Sequence, residues 1–145
     1  MARAGVVGIE TQLRLDEKEV LHAYQDHLGY WTIGVGRLID ARRGGGLTRE
    51  ESAYLLRNDI RRVTETIEEH LPWYNLLSTP RQGVLLNMAF QMGAGGLFGF
   101  VNTLRLIKEA RYIEAAAAML QSSWAQQTPE RARRLSEQMR TGVWQ

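Results

Sequence analysis

The sequence predicts an α+β domain that is mainly helical, with a small N-terminal β-hairpin lobe, a linking helix and a C-terminal helical lobe. Three observations carry this. Residues 23–39 have the Tyr, Trp, Thr, Ile and Val texture of short twisted strands, punctuated by Gly29, Gly34 and Gly36. Apolar residues at three- and four-residue spacing (Ala53, Leu55, Leu56, Ile60, Val63 and Ile67) mark one long amphipathic helix. Two Thr-Pro pairs, at 79–80 and 128–129, open later helices, since proline at the first helical position gives up no useful N–H.

Taken in chain order, Ile9, Leu13, Leu15 and Val20 lie among charged residues and predict a first helix over about 8–20, ending near Leu21-His22. A β-hairpin or meander lobe follows over about 22–47. Gly44-Gly45-Gly46 breaks regular structure, and Thr48 with Glu51 three residues later makes a capping box that starts the linking helix, about 48–70. Arg57, Arg61, Arg62, Glu65 and Glu68 face solvent on it. The helical lobe takes about 71–145, with the first helix packed on it. Residues 84–92 are apolar nearly all round, as in a buried helix, and 104–120 continue in helical texture. The chain is read as one domain, 1–145.

With 145 residues and 44% hydrophobic side chains, the domain can bury a core without metals or disulfides. Cysteine is absent, which excludes thiolate chemistry. His22, His27 and His70 lack zinc-ligand spacing, so no metal site and no cofactor is expected. Gly34-Val35-Gly36 is no dinucleotide fingerprint, because Ile39 stands where the third glycine belongs and no helix follows. Glu10 interrupts the apolar opening before a signal-peptide core forms, and no stretch reaches the roughly eighteen apolar residues of a membrane span. The expectation is a soluble protein that needs help to leave a cytoplasm. Of 18 basic residues 16 are Arg; residues 1–70 carry net −2 and residues 71–145 net +4, an asymmetry that suits a polyanionic target.

The chemistry concentrates in two carboxylates and a hydroxyl around one turn: Glu17 at the end of the first helix, Asp26 in the first β-turn and Thr32 on the returning strand. Glycosidic cleavage needs such a set, with one protonated carboxyl for the leaving oxygen and one ionised group to orient water or stabilise positive charge. By residue type alone, both acids read first as solvated helix-end and turn residues. Asn87 and Gln91, polar and four apart on an otherwise apolar helix, point to hydrogen-bonding roles.

Glu17, eight residues, Asp26, five more, then Thr32 within Gly-Tyr-Trp-Thr-Ile-Gly-Val-Gly resembles the active-site signature of the T-even phage lysozymes, glycoside hydrolase family 24. Residues 90–93, 99–105, 127–134 and 140–144 resemble further family motifs in the same order, so the likeness runs from about residue 13 to the C-terminus. It implies a lysozyme-like fold with the cleft between the lobes. It also implies hydrolysis of the β-1,4 bond between N-acetylmuramic acid and N-acetylglucosamine, with inversion. Glu17 would be the general acid, while Asp26 and Thr32 hold water; inversion asks for a carboxyl separation of roughly 6.5–9.5 Å.

Substrate contacts carry over to Leu38, Phe90, Gln91 and Thr103, although plain core packing explains Leu38 and Phe90 equally well. The resemblance pairs Glu17 and Asp16 with arginines of the late helix, here Arg131 and Arg134. Arg37 replaces a family histidine that pairs with an aspartate, here Asp59, so an Arg37 to Asp59 pair is expected. Residues 40–47 are shorter than in the T-even enzyme, and Leu28 and Ala118 replace polar cleft residues. The implied biology is a monomeric endolysin that waits in the host cytoplasm and reaches peptidoglycan in the periplasm after holin-dependent release.

The basic last helix, with Arg131, Arg133, Arg134 and Arg140, suggests anionic envelope contact. No nucleic-acid partner is expected. Two rivals remain. A lytic transglycosylase would need one acid and leave anhydro ends, and a noncatalytic DNA- or envelope-binding module would bind with steep salt dependence.

Overall fold

The computed structural model describes the backbone of residues 2–145 and the side chains of residues 8–145. By internal contacts the chain divides into two compact units, Met1–Leu55 and Leu56–Gln145.

The first unit holds helix α1 (Ala2–Glu17), strands β1 (Glu19–Gln25), β2 (Trp31–Val35) and β3 (Arg37–Leu38), and the start of α2 (Arg49–His70). The strands form an antiparallel meander in the order β1-β2-β3. Helix α1 stops at Glu17, short of the predicted end near residue 20. Lys18 takes a left-handed backbone (φ 62°), and Glu19 and Val20 are already paired with Val35 and Gly34. Strand β1 therefore begins before the predicted boundary at 22. Between Val20 and Tyr24 its register against β2 shifts, an irregularity of the kind that bends a strand locally. The predicted capping box closes both ways, with Thr48 N–H donating to Glu51 Oε1 (2.8 Å) and Glu51 N–H to Thr48 Oγ1 (3.1 Å).

The second unit begins inside α2 and adds α3 (Thr79–Phe98), α4 (Val101–Lys108), α5 (Tyr112–Leu120), α6 (Ser123–Gln127) and α7 (Pro129–Thr141). Ile67, Leu85, Met88, Leu97, Met119 and Met139 are fully buried at its centre. Each such side chain contributes about 1.5–3 kcal/mol relative to exposure. Helix α7 packs on α3, α5 and α6. Arg81 closes the α7 C-terminus by donating Nε–H to the Met139 carbonyl (2.8 Å) while stacking 3.5 Å over the Tyr112 ring.

Two breaks were not predicted. Gly93 (φ 77°, ψ 159°) kinks α3 after Met92, a conformation glycine tolerates without strain. The expected continuous helix over 104–120 is split between α4 and α5. There Ala110 adopts φ 59° and the Arg111 N–H reaches back to the Leu106 carbonyl (2.9 Å), a Schellman-type stop made without glycine. Among the described residues no single helix is long and apolar enough to cross a membrane.

Candidate active site

Asp26 sits in the turn between β1 and β2, and the turn is built around it. Its Oδ1 accepts the backbone N–H groups of Leu28 and Tyr30, both at 2.9 Å, while its own N–H donates to the Tyr30 carbonyl (2.9 Å). These backbone donors, the Tyr30 N–H first, hold the carboxyl below its ordinary value of 3.8, with help from the charges of His27 and Arg43. The group is an anion at neutral pH with one oxygen fixed. Its Oδ2 accepts no bond among the described residues.

Thr32 is joined to Asp26 through one atom. The Tyr30 carbonyl that accepts the Asp26 N–H also accepts the Thr32 hydroxyl (3.0 Å). With its proton committed there, Thr32 Oγ1 has only lone pairs left to offer a donor. Thr32 is 5% exposed and faces Tyr24 on one side and Leu38 on the other in the sheet register. Leu38 is half-buried.

Glu17 ends α1 with an exposed side chain, and it lies against Gly36, in the turn between β2 and β3. A Cβ built on Gly36 would fall 2.8 Å from Glu17 Oε2, closer than such atoms approach. Gly36 also has φ 64°, so its conformation favours glycine, and any side chain there would displace the Glu17 carboxylate. Neither Glu17 nor its neighbour Asp16 has an ion pair or side-chain hydrogen bond among the described residues. Strand β2 thus runs from the Asp26 turn to the Glu17 seat, and at Gly34 between them the space a side chain would fill is open.

Residues that sequence reasoning missed hold this turn in place. Asp40, 5% exposed, accepts from the Trp31 N–H (3.1 Å) and from Arg42 through its backbone N–H, Nε (2.9 Å) and Nη2 (2.7 Å). Arg42, then the Trp31 N–H, keep the Asp40 carboxyl well below the usual range. Arg42 also donates to the Gly29 carbonyl (3.0 Å), and the guanidiniums of Arg42 and Arg43 lie 5.0 and 4.9 Å from the Tyr30 ring centre. The Asp40-x-Arg42 spacing, in which a short acid caps its own turn, was the available signal.

Arg37 does not take Asp59 as its partner. Its guanidinium forks onto Glu51, with Nη1 to Oε1 at 3.0 Å and Nη2 to Oε2, and Nη1 also donates to the Gly46 carbonyl (3.0 Å). Asp59 pairs with Arg62 on its own helix. The cause is position: Glu51 stands in the first turn of α2, two turns before Asp59, and the capping box has already aimed its carboxylate. Arg37 holds Glu51 down to about 2.

In the second unit the polar pair on α3 accepts hydrogen bonds from side chains of α6 and α7. Gln91 Oε1 accepts the Trp124 indole N–H (2.8 Å), leaving the amide N–H groups of Gln91 unshared among the described residues. Asn87 Oδ1 accepts Arg131 Nε–H (2.8 Å). Arg131 is thus engaged within its own unit, where the resemblance implied Glu17 as partner, and Arg134 is exposed with no ion pair among the described residues. Phe90 is 41% exposed, so core packing does not account for it. Thr103, the other residue carried over as a sugar contact, is 5% exposed in the first turn of α4. Of the four basic residues on α7, Arg133 pairs with Glu130 and Arg140 with Glu137, so half of the expected cationic face is neutralised within the helix. A hollow of about 450 Å³ lies beside Trp124, floored by Met92 and Phe100 and rimmed by Ser122, Ser123 and Gln127. Among the described residues no cluster of His, Asp or Glu is arranged to hold a metal.

With this geometry in hand, the chain matches the family model described as phage lysozyme over residues 16–139. It is 32% identical to "Probable T4-type lysozyme 1" of Dictyostelium discoideum, over 95% of this chain and 96% of that protein. It is also 32% identical to "Pre-baseplate central spike protein Gp5" of Enterobacteria phage T4, over 90% of this chain and 27% of that one. With "Peptidoglycan hydrolase gp36" of Pseudomonas phage phiKMV it shares 29% identity over 81% of this chain and 13% of the relative.

Proposed function

The chain belongs to the phage lysozyme family, and on that premise we propose that it is a peptidoglycan-hydrolysing lysozyme. It cleaves the β-1,4 bond between N-acetylmuramic acid and N-acetylglucosamine with inversion, as an endolysin released through a holin-opened inner membrane. The observation that carries this reading is the way Asp26 is held: an anion with one oxygen fixed by two backbone N–H groups and the other unshared, and with Thr32 tied to the Tyr30 carbonyl that accepts the Asp26 N–H.

In the proposed reaction Glu17 gives its proton to the glycosidic oxygen as the bond from the muramic acid anomeric carbon breaks. Asp26 Oδ2 accepts a proton from a water that attacks that carbon from the opposite face, and Thr32 Oγ1 accepts the water's second O–H. Asp26 leaves the step protonated and Glu17 ionised; proton exchange with solvent restores both. Support for two separated roles comes from β2, which has the Asp26 turn at one end and the Glu17 seat at the other. Phe90 offers an apolar face and Gln91 an oriented amide to sugars.

The test is product analysis on purified peptidoglycan with wild type, Glu17→Gln and Asp26→Asn. Reducing muramic acid ends of inverted configuration, with both variants reduced by at least about a thousandfold, are expected. Anhydro ends would assign a lytic transglycosylase instead. Undiminished lysis by Glu17→Gln would remove Glu17 as the acid, and binding of peptidoglycan without any cleavage by wild type would leave only a binding module.

A further inference from the structure

Arg42 and Arg43 share one aromatic ring but differ in what their charges meet. The Arg42 guanidinium is neutralised by Asp40 and donates to the Gly29 carbonyl, so its donors are largely engaged. Arg43 lies 4.9 Å from the centre of the Tyr30 ring, has no carboxylate partner among the described residues, and donates no side-chain hydrogen bond among them. Two like charges beside one aromatic ring, with one counter-ion between them, leave a net cation held near the ring by stacking.

That position is close to the reacting centre. Tyr30, under Arg43, is the residue whose N–H and carbonyl both clamp Asp26, and the positive field of Arg43 reaches the Asp26 carboxylate. If Asp26 serves the anomeric carbon of N-acetylmuramic acid, then the sugar beside it carries, two ring carbons away, the lactyl ether from which the stem peptide hangs. A free guanidinium fork near that sugar matches a carboxylate in geometry and charge.

Building on the hydrolase reading, we propose that Arg43 is a specificity-determining residue that recognises a carboxylate of the stem peptide borne by the cleaved muramic acid. Arg42, held by Asp40, acts as its support by keeping the Tyr30 platform in place.

The experiment compares soluble glycan strands bearing intact stem peptides with the same strands after their carboxylates are converted to carboxamides by carbodiimide coupling with ammonia. Wild type is expected to favour the free-acid strands by about three- to tenfold in kcat/KM, chiefly through KM, the size of a partly exposed charge-assisted contact. Arg43→Ala should level the two substrates, and Arg43→Lys should recover part of the preference because it keeps the charge and loses the fork. Lys108→Ala, which removes an exposed cation of α4, should keep the wild-type preference. Absence of any preference in wild type, or a preference retained by Arg43→Ala, would overturn the assignment. Wild-type inactivity on both strands would overturn the hydrolase reading itself, an outcome distinct from the loss of preference alone.

Discussion

Replacing Gly36 by alanine separates the position of Glu17 from the stability of the fold. The new Cβ would stand 2.8 Å from Glu17 Oε2 and 3.1 Å from its Cδ, whereas ordinary contact begins at 3.4 Å. The carboxylate oxygen must therefore retreat by about 0.6 Å, the difference between 3.4 and 2.8 Å. For the fold this is inexpensive, because the displaced atom ends a flexible side chain. The main structural cost is the left-handed backbone, φ 64°, which destabilises alanine by about 1–2 kcal/mol. For proton transfer the shift matters more. If a 1 Å misplacement costs about a hundredfold, then 0.6 Å costs roughly tenfold or more in kcat, with KM little changed. Gly44→Ala is the matched control: its φ is 73° and nothing lies within 4 Å of the added Cβ. The assay is kcat and KM on soluble glycan strands, with thermal melting of both variants. Equal loss of melting temperature and a tenfold kcat deficit confined to Gly36→Ala are expected. A Gly36→Ala enzyme whose kcat stays within twofold of wild type would refute the role assigned to this seat.

Trp124→Phe removes the indole donor that orients Gln91 and should cost about 0.5–1.5 kcal/mol in urea unfolding, together with a severalfold rise in KM. Leu85→Ala in the fully buried centre of the helical unit should cost about 2–5 kcal/mol by the same measurement, since the rigid surroundings cannot close the cavity. Glu51 titrates at about 2 in the fold against an ordinary 4.5, so its pairing stabilises above pH 4.5 and that contribution is lost as pH falls towards 2. Melting of Glu51→Gln between pH 2 and 6 should show a shallower acid slope than wild type; identical slopes would remove the Arg37–Glu51 pair from the account.

The catalytic candidates were singled out by resemblance to a family signature, which could be recognised because it is compact in the sequence. Glu17, Asp26 and Thr32 lie within sixteen residues of chain, on a helix end, a tight turn and the strand that leaves it, and short connections leave few ways to arrange them. The capping box of α2 was equally local and formed as expected, and both Thr-Pro pairs lie at helix starts, with Pro129 the first residue of α7 and Pro80 the second of α3. Arg37 could not be assigned in this way. Both Glu51 and Asp59 lie downstream of it on one helix, and only the folded path of residues 39–48 puts the nearer acid within reach. The stop at Ala110 was likewise hidden, because alanine carries no sequence signal for a left-handed turn.

By itself, then, the sequence determined the fold class, the capping box that starts α2 and the turn that carries Asp26, since periodicity, capping and turn chemistry act over a few residues. The tertiary structure alone decided that Gly36 seats Glu17, that one Tyr30 carbonyl joins Asp26 to Thr32, and that Asp40 binds Arg42 while Arg43 is left without a counter-ion. Those are questions of which groups meet across strands and loops at distances of about 3 Å, and the chain settles them only when packing fixes the register and the bends between its elements.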